Sequence, residues 1–277
     1  MIRDSFPLKF LFRPASAFSG MISGRTGWTW PLALYAAGTA GSMLLAAILP
    51  REFLLAAEGL PLPAGPLSAG GLAAGLAAGL AFNAYFCALL AAFAAFLSKG
   101  RTALRLPPLI GALAAYFLLF ILRLYGLRGG TAGWLGHLGA WYPLPAAAYG
   151  RFSWTAGWLA AAGAAAFGAW SAFRSRSVLP ALLKLTLAAS LFTLLSCLPE
   201  WGAAAAGAPA VYKAGEYVFS LLAVIWLTRG TAAATGASAA RSLSAVVLAL
   251  MGAALFAFSL FALGLIGKNM LQLLLLV

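Results

Sequence analysis

Hydrolysis, metal chemistry and proton pumping all need ionisable or nucleophilic side chains brought together, and this sequence supplies few of them. His137 is the single histidine. Trp134 and Trp141 stand at minus three and plus four from it, so one local helix would place all three on one face. A lone histidine builds no zinc or iron site, and an interfacial aromatic cluster is a better reading of His137 than a catalytic base. Asp4 is the single aspartate, and neither HExxH, GxSxG nor a Walker-type phosphate loop occurs. Hydrolases and nucleotide-driven machines built on those motifs are therefore not indicated. Cys87 and Cys197 fall inside apolar runs and read as inert thiols. We assign no catalytic residue, no cofactor and no metal, and expect a chain that is not an enzyme.

Three further residues stand out by position. Lys184 falls inside an apolar run about one and a half turns from its basic end, a depth from which its amine could snorkel to headgroups. As an intramembrane charge it is also a candidate functional residue. Arg123 snorkels in the same way at the far end of another run. Asn83 is a strong polar group at mid-depth. It continues a four-residue series of small side chains, Gly71, Gly75 and Gly79, which reads as a helix-packing face with Asn83 bonding a neighbouring helix. Glu216 and Lys213 are three residues apart and suit an interfacial pair.

The elements that must position these groups follow from composition. Apolar residues make up 64% of the chain and charged residues 8%, against roughly 25% charged in soluble domains. Lipid must be the main solvent. The net charge of +13 comes from 18 Lys or Arg against five acids, and the basic residues sit mostly in short segments between apolar runs. They read as topology signals that meet anionic lipid headgroups, not as a nucleic-acid surface.

The chain thus reads as all-α, a polytopic transmembrane helical bundle of about seven spans (five to seven). The expected spans are 29–50, 70–97, 107–125, 153–173, 178–199, 214–228 and 242–266. Residues 1–28 mix phenylalanine and leucine with Arg3, Lys9, Arg13 and Arg25, and form an interfacial amphipathic segment with a helix starting at Pro14. The first long apolar run begins near Trp28, too late and too long for a secretory signal, so this segment is expected to stay in place. The bundle proper is 29–277, with an irregular segment at 126–152 whose seven glycines oppose a straight span. With the N-terminus inside, the inner segments 1–28, 98–106, 174–177 and 229–241 hold eleven basic residues and the outer ones five. This bias places a multi-pass protein in an inner or plasma membrane. Trp170 before Arg174 and Trp226 before Arg229 form a weak internal echo.

Two stretches carry a family resemblance. LFRPASAFSGMI at 11–22, followed by WTWPL at 28–32, is similar to the apolar-basic opening, Arg-Pro step and Trp/Pro span entry of bacterial Yip1-family proteins. VIWLTRGTAAATGASAARSLSAVVL at 224–248 resembles that family's Trp-containing span, small-residue turn and Arg-Ser re-entry. The resemblance implies a multi-span helical protein with a cytoplasmic N-terminus, more often of five spans. It also implies action by binding rather than catalysis. Arg13, within the Arg-Pro step, joins Lys184 and His137 as a candidate functional residue. The expected function is a non-enzymatic integral membrane protein that organises or binds lipids, protein partners or further copies of itself. The alternative is a transporter or permease subunit with a path near 126–152.

Overall fold

The computed structural model describes residues 5–58, 68–98, 162–163, 165–262 and 266. The expected span at 107–125 and the irregular segment at 126–152, with His137, lie outside the described residues. Among those described, all regular structure is helical: α1 Phe6–Phe12, α2 Pro14–Ile22, α3 Thr29–Ile48, α4 Arg51–Glu58, α5 Ala69–Ser98, α6 Leu179–Ala205, α7 Pro209–Thr235 and α8 Ala239–Ala262. A helical stretch over 165–174 precedes the turn into α6. Five of these helices, α3, α5, α6, α7 and α8, are long and apolar enough to cross a membrane. The chain is a multi-pass integral membrane protein.

Helix limits differ from expectation at two places. The loop expected at 200–213 narrows to 206–208, because α6 runs through Pro199 to Ala205. Proline deletes one backbone donor, which a long packed helix tolerates. The span expected to end at 228 continues to Thr235 and stops at Gly236, whose φ of 70° is left-handed. Arg229 does not end the helix: its guanidinium carbon lies 5.9 Å from the Trp226 ring centroid, so the charge is held along the helix surface.

Small residues bring the helices together. On α3, a Cβ at Gly38 would sit 2.6 Å from the backbone oxygen of Ser190 on α6, and one at Gly41 would sit 3.3 Å from Cys197 Sγ. On α7, a Cβ at Gly230 would strike the Leu185 side chain of α6, and on α8 one at Gly252 would meet Leu89 of α5 at 3.0 Å. The central helix is α6, which packs on α3, α7 and α5, while α5 packs chiefly on α8. Among the described residues α6, more than the glycine-ridged α5, is the helix the others pack on.

Side-chain pairs fix the direction of each helix. Lys184 near the start of α6 reaches Thr26, just before α3. Trp226 near the end of α7 reaches Phe10. Tyr85 stacks on Phe256 with centroids 4.5 Å apart, while Leu89 meets Gly252, so α5 runs antiparallel to α8. Hence α3, α6 and α8 begin, and α5 and α7 finish, at the end of the bundle that carries the N-terminal segment. Lys9, Arg13, Arg25, Arg174, Arg176, Lys184, Arg229 and Arg241 all gather there, with no acid among the described residues of that end. The opposite end has Glu52, Glu200 and the pair Lys213–Glu216, formed at 2.6 Å as its spacing suggested.

Candidate functional site

The N-terminal helices lie against the basic end of the bundle instead of extending from it. Their apolar face enters the main core: Phe10 is fully buried and Phe18 and Met21 are nearly so. Phe10 stands 5.9 Å from Phe6, 6.0 Å edge-on from Phe18 and 6.3 Å from Phe192 of α6. Phe192 in turn meets Trp226 at 5.4 Å, edge to face. Such aromatic pairs contribute about 0.5–1.5 kcal/mol each beyond the area they bury.

Two side chains from the spans then bond the backbone of this segment. The Phe10 carbonyl would ordinarily accept from the amide four residues on, but that residue is Pro14, which has none. The break between α1 and α2 thus leaves an orphan acceptor inside the core. Trp226 Nε1 of α7 donates to it at 2.8 Å. The second bond holds the loop after α2. That loop turns at Gly24, with φ 76°, and closes when the Thr26 amide donates to Gly20 O at 2.9 Å. Lys184 Nζ donates to Thr26 O at 2.6 Å and lies 4.9 Å from the Trp28 ring centroid. Lys184 is only 7% exposed. Its charge is met by a carbonyl dipole and an aromatic face, which offset the cost of burying it.

Beside these bonds an open groove of about 670 Å³ runs between α2 and the last turns of α7. Phe18 and Ile22 line its apolar side, with Arg25 and Arg229 at its polar side. Both arginines are exposed. Arg13 is exposed as well and caps the start of α2 with φ −136° and ψ 56°.

The remaining residues singled out from the sequence lie apart from this end. Gly71 is exposed in the first turn of α5, where its amide donates to Ser68 Oγ at 3.0 Å. Gly75 is buried. Gly79 faces Tyr35 of α3, whose hydroxyl donates to Leu76 O at 2.8 Å and occupies the space a Cβ would need. Asn83 is buried, and its Nδ2 donates to Gly79 O at 2.9 Å, one turn back in its own helix. Cys87, one turn further, meets Thr186 Oγ1 of α6 at 3.1 Å. The structure brings Lys184 to the N-terminal segment and leaves Asn83 separate from it. In the sequence Trp226 stands out through the echo and the family resemblance, and neither points to a bond with Phe10. The signal that could have found its role was Pro14, which guarantees an unpartnered carbonyl at Phe10. The echo has a local counterpart: Arg174 lies 5.4 Å from the Trp170 ring centroid, as Arg229 lies over Trp226. Comparison of the chain with protein-family models, with curated proteins and with solved structures gives no match.

Proposed function

We propose that the chain is a non-enzymatic integral membrane protein of Yip1 type, with about seven spans and its N-terminus inside, that organises lipids and protein partners at its basic end. The observation that carries this reading is the N-terminal segment held on that end by Trp226 and Lys184. A segment fixed in this way presents a defined charged surface, with Arg13, Arg25 and Arg229 all exposed. The excess of cations at one end is what positive-inside topology requires, and it suits a negatively charged leaflet. Asn83 and Lys184, the residues a transport path would need, each engage a backbone carbonyl within the fold, which favours the binding reading over the permease one.

Photo-crosslinking from Phe12, which is 77% exposed, tests it in native membranes. Capture of lipid or of a discrete partner is expected. Absence of any adduct would remove the binding reading. Loss of solute flux in proteoliposomes on Asn83→Leu or Lys184→Ala would replace it with the transport reading.

A further inference from the structure

The groove between α2 and α7 combines two features that seldom coincide by packing alone. Positions 14, 18 and 22 of α2 form one i, i+4 stripe, so Pro14, Phe18 and Ile22 make a continuous apolar wall. The same groove is lined by Arg25, by Arg229 of α7 and by Ser19 of α2. No carboxylate among the described residues pairs with either arginine, and the described part of this end contains no acid at all. Two guanidinium groups in one groove repel each other unless an anion lies between them. Each presents a donor fork that matches phosphate oxygens.

The depth is also informative. Arg229 lies six residues before the end of α7, about 9 Å along the axis, and directly above Trp226. Tryptophan favours the headgroup level, so the groove opens at the boundary between headgroups and acyl chains. Ile22, 44% exposed, continues the apolar wall outward. A free phosphate would use the arginines and leave that wall uncovered, whereas a lipid uses both. The groove volume of about 670 Å³ lies within the range of small-ligand sites.

We infer that this groove is a binding site for an anionic glycerophospholipid, with its phosphate between Arg25 and Arg229 and its first acyl carbons along Pro14, Phe18 and Ile22. The inference rests on the basic-end reading above and names its ligand. The bound lipid would neutralise the paired arginines and join the N-terminal segment to the end of α7.

The test uses the full chain purified in a non-ionic detergent and exposed to equal phosphatidylglycerol and phosphatidylcholine, with retained lipid counted by native mass spectrometry. Phosphatidylcholine carries the same phosphate, but its choline cation cancels the charge, so the two arginines should give the wild type a preference of about tenfold for phosphatidylglycerol. Arg25→Gln with Arg229→Gln should bring the preference to about unity. Arg25→Lys with Arg229→Lys, which keeps charge and loses the fork, should leave an intermediate value of about threefold. Arg174→Gln with Arg176→Gln, at the same end but outside the groove, should leave it unchanged. Inorganic phosphate in excess should not displace the lipid. Retained preference in the Arg25/Arg229 glutamine variant would overturn the site, as would displacement by inorganic phosphate. Absence of any preference in the wild type would overturn the site and the lipid arm of the wider reading together. A preference lost only in the Arg174/Arg176 variant would overturn the site and leave the wider reading standing.

Discussion

Trp226→Phe removes the indole N–H with the rest of the five-membered ring and keeps a six-membered aromatic ring. The ring that packs against Phe192 at 5.4 Å is largely kept, and the lost donor is the one that met Phe10 O at 2.8 Å. An ordinary hydrogen bond contributes about 1 kcal/mol because water can replace it. Here water is shut out, since Phe10 is fully buried, and Pro14 has no amide to substitute. The carbonyl would then be left unsatisfied, at a cost of about 1–3 kcal/mol. That cost falls only on the docked state of the N-terminal segment. It should raise the population of the released state by about 5- to 150-fold, at tenfold per 1.4 kcal/mol. Hydrogen exchange of peptides from residues 14–22, in detergent or nanodiscs, measures the change directly. Their amides should exchange faster by that factor, while α8 peptides keep their rate. Two results would refute the reasoning: unchanged exchange over 14–22, or acceleration shared equally by α8. The second would mean that the indole supports the whole bundle rather than one carbonyl.

Four further outcomes are expected. Lys184→Met removes a charge-assisted bond to Thr26 O, worth about 1.5–3 kcal/mol, and should speed exchange over 23–28 more than over 14–22. Gly38→Ala forces a Cβ to 2.6 Å from the Ser190 carbonyl oxygen; overpacking of this kind costs about 1–3 kcal/mol and should lower the melting temperature in detergent. Gly215→Ala, where a Cβ meets nothing within 4 Å, should instead raise it, through a helix-propensity gain of up to about 1 kcal/mol. In a background lacking Cys87 and Cys197, Ser175→Cys should react with an impermeant thiol reagent from the cytoplasmic side only, and Ala206→Cys, in the turn at the opposite end, from the other side only.

How much of this was legible in the sequence depends on the range of the interaction. The bundle class follows from hydropathy, because each span must satisfy its own backbone bonds and cannot hide its apolar surface. The helix at Pro14 and the Lys213–Glu216 pair are local, fixed by proline's geometry and by a three-residue spacing, and both were readable. Helix ends were less so. Proline at 199 and arginine at 229 look like terminators, yet packing of α6 and the Trp226 ring carry both helices past them. The site was the least legible part. Lys184 and Thr26 are 158 residues apart, and Trp226 and Phe10 are 216 apart. No periodicity connects residues that meet only when the chain has closed. The glycine series illustrates the same limit: spacing alone shows a ridge of small residues, but Gly71 is exposed in the first turn while Gly79 receives a tyrosine from α3.

The docking of α1 and α2 also restricts what a partner can touch. An amphipathic segment free of the bundle would offer its phenylalanines to a partner or to the bilayer. Here Phe6, Phe10 and Phe18 are already inside the core, so releasing them would expose apolar surface and give up the bonds from Trp226 and Lys184 at once. The surface that docking leaves outward is a rim where Phe12 is 77% exposed and Ile22 is 44% exposed, with Arg13 and Arg25 close to them in sequence. An apolar side chain beside an arginine suits the boundary between acyl chains and headgroups. If partners instead bind the released segment, Trp226→Phe should strengthen their capture by populating that state. If they bind the docked rim, the same substitution should weaken it. The direction of that single change separates a fixed docking surface from a mobile arm.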